Sequence, residues 1–275
     1  MTRVVVHADD VGMCRGANRA FVQLSHFGTI TAGSVMVPCS GFQEMATIAA
    51  DDSRLDLGVH LTLNAEFESY RWGPVASHPP SAGLVDDDGF LWPDVSSLRQ
   101  NAHPEAVDTE WRAQIDKALS SGVEVTHLDA HMGSALAPEW CDRYIALGVD
   151  YALPVLMPCS LAAYGPNNHL ADVEDTEFAG FVAEAKGAGM VLFDEVLETD
   201  FLRGPTQRVD YEALLEDVAG DLVYCAFHPA APGEVEAIDS GRAHVRTDEY
   251  ELFRTEEWRS WLRARPFESV GMADL

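Results

Sequence analysis

A small set of carboxylates and imidazoles in this 275-residue chain recurs at the ends of apolar runs, where an ordinary buried strand would continue with Val or Ile. The first run, "VVVHADDVG", follows His7 with Asp9 and Asp10 side by side. Adjacent carboxylates at the end of a buried strand repel one another and lose hydration, so something must compensate them. A solvated strand end capping a helix would do so cheaply, and a bound cation would do so while creating a function. "LGVHLTL" carries His60, and "CAFHP" carries His228. "VTHLDAH" spaces His127, Asp129 and His131 at intervals of two, hence on one side of a strand. Singly, each has a structural explanation, and His26, His78, His103, His169 and His244 read as solvated loop or helix positions. Jointly, the strand ends would need polar residues for unrelated reasons, so a metal-centred hydrolytic site is the better account.

One carboxylate and two imidazoles with open positions suit Zn²⁺ first, with Mg²⁺ or another divalent ion also accommodated. Such an ion lowers the pKa of bound water toward ~7 and polarises a carbonyl oxygen. Of Asp9 and Asp10, one would coordinate and the other take a proton from water, while a histidine on the opposite wall protonates a leaving amine.

These residues need a scaffold that brings strand ends together. Strands are expected at Arg3–Ala8, Ile30–Val37, Leu55–Leu63, Glu124–Ala130, Tyr151–Leu156, Met190–Val196 and Leu222–Phe227. Between them, "CRGANRAFVQLSHFG" stops at Gly28, "PEAVDTEWRAQIDKALSSG" starts at Pro104, and "PEWCDRYIALG" starts at Pro138. Proline near the start and glycine past the end are the expected helix punctuation. Alternating strands and helices predict βαβ units around a parallel sheet, here a TIM-like (β/α) barrel of about seven or eight strands. "DDVGMCRG" is not the GxGxxG of a dinucleotide fold. One domain over 1–275 is expected, with a long loop at about 64–101 whose Tyr70, Trp72 and Trp92 would either stack on a substrate ring or pack the loop down.

Composition narrows the partners. A net charge of −27 and the near absence of lysine, Lys117 and Lys186 apart, argue against nucleic acid. Cys14, Cys39, Cys141, Cys159 and Cys225 form no CxxC pair, which fits a reducing compartment. No signal-like or membrane-length apolar run is present, so a cytoplasmic protein without membrane contacts is expected. A small-molecule substrate is the expected partner, with a homodimer as a further expectation. The competing enzyme is a metal phosphoesterase, which would want a second metal and cationic clamps where few Arg or Lys adjoin the motifs. A metal-free glycosidase built on Asp9 and Asp129 leaves the histidines unexplained. A non-catalytic sugar- or metal-binding protein on the same fold is the alternative outside enzymes.

The segments "HADDVGMCRGANRAF", "SVMV", "LGVHLTL", "LVDDDGFL", "RAQIDKAL…GVEVTHLDAH" and "FHP", in order from residue 5 to about 229, resemble the YdjC-like carbohydrate deacetylases. That resemblance implies a (β/α) barrel related to polysaccharide deacetylases and a small-molecule substrate, an N-acetylated amino sugar or short oligosaccharide. It also implies Asp10, His60 and His127 as metal ligands, Asp9 as catalytic base, and His228 as acid or transition-state donor. Asp129 and His131 would support the ligands or touch substrate. Two departures alter the pocket rim and leave the sugar open: "HMGSA" stands where relatives often carry a further histidine, and "HPAAP" where they carry HPG.

Overall fold

The computed structural model describes every residue except 166–168, 208 and 217. Its strands are β1 (Arg3–Val11), β2 (Ala32–Val35), β3 (Leu57–Leu61), β4 (Val125–Ala130), β5 (Glu195–Glu198), β6 (Leu222–Phe227) and β7 (Glu268–Ser269). The helices are α1 (Arg15–Phe27), α2 (Phe42–Asp51), α3 (Val95–Asn101), α4 (Pro104–Ser120), α5 (Cys141–Tyr151), α6 (Leu161–Tyr164), α7 (Asp175–Gly187), α8 (Tyr211–Glu216), α9 (Val235–Ile238), α10 (Ala243–Phe253) and α11 (Glu256–Arg263). Every strand pairing is parallel, in the order β4-β3-β2-β1-β6-β5, with β7 added to β1. Strands such as "LVYCAF" of β6 are buried throughout, as a sheet covered by helices outside and side chains inside requires.

Between β4 and β5 the ring is completed by irregular chain. Val155 bridges Leu128 and Pro158 bridges Phe193, which closes the sheet into a TIM-like barrel. The strand expected at Tyr151–Leu156 is therefore reduced to a bridge. Helix α5 runs through Gly148 and ends only at Tyr151, with Ala152 after it in the left-handed region at φ 54°. Pro154 and Pro158 then withhold the backbone N–H groups that a longer ladder would need. The strand expected at Met190–Val196 begins only at Glu195, and β7 was not anticipated. Helix α1 ends as expected at Gly28, whose φ of 82° suits a residue without a side chain.

The long segment after β3 folds back on itself through bridges Asn64–Trp92 and Val85–Leu91. Its last residues form α3, capped by Asp94, which accepts from the Ser97 backbone N–H at 2.8 Å. Among the described residues no helix is long and apolar enough to cross a membrane.

Candidate active site

Consecutive strand residues face opposite sides, so Asp9 and Asp10 should not both reach the barrel mouth. Asp10 resolves this by adopting φ 58°, and the register of β1 against β2 shifts between Ala8 and Val11. A non-glycine residue in the left-handed region is strained, although Asp tolerates it better than most. The twist turns Asp10 inward, where it is 1% exposed. Its Oδ1 lies 3.1 Å from His131 Nδ1 and 3.4 Å from His60 Nε2, and its Oδ2 lies 2.7 Å from Arg246 Nη2. Neither oxygen has a partner with hydrogen-bond geometry. Burial pushes its carboxyl up, but Arg246 and His131 outweigh burial and hold it well below the usual range. A buried, charged, under-coordinated carboxylate facing two imidazoles fits a divalent cation.

Among the described residues, Asp10, His60 and His131 each offer one ligand atom within 4.8 Å of the others, as do two further groups, His7–His127–Asp129 and Asp9–His60–Asp129. Geometry separates them. Asp10, His60 and His131 line one cavity, of about 230 Å³, together with Asp9 and His228. His7 and His127 are sealed inside the barrel and spend their Nε2 atoms on one another at 2.9 Å. The set expected from the resemblance is thus only partly assembled: Asp10 and His60 meet, His127 does not join them, and His131 stands in its place. The reason is depth. Residues 127, 129 and 131 share a side of the chain, but a strand rises about 3.3 Å per residue, so His127 lies roughly 13 Å below His131. At that depth Gly58 admits the His127 ring, since a Cβ there would come within 2.6 Å of Nε2.

Asp129 instead accepts from His60 Nδ1 at 2.9 Å and receives hydrogen bonds from Ser34 Oγ and Tyr224 Oη, each at 2.9 Å. Glu66 does the same for His131, with Oε2 2.9 Å from Nε2. Carboxylates placed behind ligand imidazoles fix ring orientation and raise basicity. Burial disfavours charge on both rings, but Asp129 and Asp10 drive His60 well above its ordinary value, and Glu66 and Asp10 raise His131 to about 9.

His228 follows β6 directly. Its Nε2 stands 3.9 Å from Asp9 Oδ2, its Nδ1 3.4 Å from Thr199 Oγ1, and its ring packs edge-on to Phe201 at 4.6 Å. Burial pushes it down to about 4, overriding the carboxylates nearby. Its backbone N–H donates to Glu249 Oε2 at 2.6 Å, and Glu249 also accepts from Thr199 and Tyr211. Burial pushes Glu249 up to about 7, against an ordinary 4.5. The folded protein therefore holds a proton that the unfolded chain releases near 4.5, so stability falls as pH rises through the window from 4.5 to 7. Glu249→Gln should remove that decline, gaining on the order of 3 kcal/mol near pH 8 and little near pH 5. Thermal melts across pH check this; parallel wild-type and variant profiles would contradict it.

The aromatic residues of the long loop pack rather than line the cavity. Trp72 is buried against Phe67 and Tyr70, Tyr70 Oη donates to the Met13 carbonyl at 2.6 Å, and Trp92 Nε1 donates to the Gly83 carbonyl at 2.8 Å. From that loop only Glu66 reaches the cavity, whose apolar wall comes from Met132, Tyr164, Phe201 and Leu202. Arg246, Glu249 and Glu66 were not anticipated. Their signals are faint: Arg246 and Glu249 are three apart on one helix, and Glu66 follows β3 within the "NAEFE" segment.

A closed parallel barrel with buried carboxylates and imidazoles at the C-terminal strand ends belongs to the (β/α)-barrel proteins that build their sites at that face. More narrowly, the chain belongs to the YdjC-like protein family, whose pattern matches residues 3–264. It is 26% identical over 273 residues to a carbohydrate deacetylase of Brevibacillus brevis, covering 99% of each chain. It is 33% identical over 172 residues to a carbohydrate deacetylase of Thermus thermophilus, a match spanning 62% of this chain and 60% of that protein. In fold it is similar to a candidate cellobiose-phosphate cleavage protein from Enterococcus faecalis V583, with TM-score 0.77 at 20% identity over 99% of this chain and 98% of the other.

Proposed function

We propose that this chain is a metal-dependent hydrolase that removes the N-acetyl group from an amino sugar or short acetylated oligosaccharide. The observation that carries the reading is the under-coordinated Asp10 facing His60 and His131 on the cavity wall, with Asp9 beside it. Asp10, His60 and His131 would hold the ion, and one carboxylate with two imidazoles suits Zn²⁺ first. When bound, the ion supplies Lewis acidity toward the amide carbonyl and acidifies a water. Asp9 accepts the proton of the attacking water at Oδ2 and is at hand to return it to the leaving nitrogen. The sugar amide is supported by the names of the relatives. A phosphate ester is disfavoured because the cavity arginines are already engaged, Arg246 by Asp10 and Arg242 by Asp239.

His228 serves in this reading as a neutral hydrogen-bond donor to the developing oxyanion. With its pKa depressed to about 4, the ring is protonated only in acid and its titration gives an acidic limb, none near neutrality. His228→Ala should lower kcat by about 10²–10³-fold and leave any alkaline limb of kcat/KM unchanged. Disappearance of an alkaline limb in that variant would restore His228 to the role of proton donor.

The overall reading is tested by loading the protein with Zn²⁺ or Mg²⁺ and assaying acetate release from acetylated mono- and disaccharides, beside phosphate release from sugar phosphates. Acetate release that depends on the ion supports it. Phosphate release alone, or turnover indifferent to chelation, would overturn it.

A further inference from the structure

The inside of the barrel holds two imidazoles that the hydrolytic site does not use. His7 Nδ1 lies 2.6 Å from Asp9 Oδ1, and His7 Nε2 lies 2.9 Å from His127 Nε2. His127 Nδ1 lies 2.9 Å from Thr126 Oγ1, which donates to Asp56 Oδ1 at 2.5 Å. Asp56 is anchored in turn, its Oδ2 accepting from the Ala273 backbone N–H at 2.9 Å. The contacts thus run without a gap from the cavity to the opposite end of the barrel. Apolar side chains would fill this space at lower cost, since both rings are fully buried and Gly58 is needed to admit one of them.

We propose that His7 and His127 are positioning residues for Asp9, keyed from the far end by Thr126 and Asp56; the proposal rests on the reading of Asp9 as base. Donor counting gives the chain a direction. Thr126 has one hydroxyl proton and gives it to Asp56, so His127 Nδ1 must carry the hydrogen it shares with Thr126. His127 Nε2 then accepts, so His7 is a double donor, to His127 from Nε2 and to Asp9 Oδ1 from Nδ1. The ring of His7 is locked by this pattern, and Asp9 is held through Oδ1 with Oδ2 left toward His228 and the cavity. A fully satisfied buried network of this kind specifies one geometry, which is what a base aimed at a single water needs.

The test uses Thr126→Val, which deletes the hydroxyl but keeps the branched shape, with Thr126→Ser as rescue and His127→Gln as the direct lesion. Three readouts are taken: kcat and KM for acetate release, bound metal, and the downfield imidazole N–H proton resonances. The resonance of the His7–Asp9 contact is identified by its loss in Asp9→Asn. Thr126→Val should shift that resonance and lower kcat by about 10–10²-fold while KM and metal content stay unchanged, and Thr126→Ser should restore both. An unmoved resonance, or a moved one with unchanged kcat, overturns the proposal. So does His127→Gln losing metal in step with activity, which would return His127 to the ligands. Should the wild type release no acetate from any sugar, the functional reading fails, and the resonance still decides whether the chain is continuous.

Discussion

His131→Ala should purify without its divalent ion, whereas His127→Gln should retain it. The first removes an imidazole that meets Asp10 Oδ1 at 3.1 Å on the cavity wall, and the second removes one whose nitrogens are already engaged by His7 and Thr126. Loss of an outer partner of a metal ligand typically costs 10–100-fold in affinity, so loss of a ligand itself should exceed roughly that range. His60→Ala should match His131→Ala, because both imidazoles face the same carboxylate oxygen. Elemental analysis of the purified variants, with circular dichroism to confirm folding, checks the result. The reverse pattern, ion lost in His127→Gln and kept in His131→Ala, would reinstate the ligand set implied by the resemblance.

Asp9→Asn and Asp10→Asn should part company although the residues are neighbours. Asp9→Asn should keep the ion and lose turnover by about 10²–10⁴-fold, the usual contribution of a general base. Asp10→Asn should weaken ion binding first, since Asp10 meets both His60 and His131 on the cavity wall. Metal titration and kcat measured on the same preparations separate the two. If Asp9→Asn loses the ion and Asp10→Asn loses only turnover, the roles are exchanged.

Much of this was legible in the chain because strand ends leave a chemical mark. Asp9, Asp10, His60 and His228 interrupt apolar runs, and the barrel does bring them to one mouth. Periodicity told which side of β4 carries His127, Asp129 and His131, but it is blind to depth, and depth separates the cavity-lining His131 from the buried His127. Arg246 and Glu249 escaped for another reason. Helix α10 mixes buried Arg246, Glu249, Tyr250 and Phe253 with polar neighbours, so its charged residues read as a solvated face. Burial of a charge shows only when its partner is known, and the partner of Arg246 lies at the other end of the sequence, in β1. The segment 151–156 reads as strand from composition alone, yet the run of α5 and the two prolines allow only the bridge at Val155.

The position of β1 has a bearing on how the molecule comes into being. Arg3 is in register with Leu222 of β6 on one side and with Glu268 of β7 on the other, so β1 pairs with strands more than two hundred residues later in the chain. Contacts of such sequence separation form late, because the entropy of closing the intervening loop must be overcome before they stabilise anything. Until they form, Asp10 has neither Arg246 beside it nor a barrel around it. Completion of the ring and assembly of the cavity around Asp10 are on this view one event, and a chain folded only as far as β4 carries two bare carboxylates on an unprotected edge.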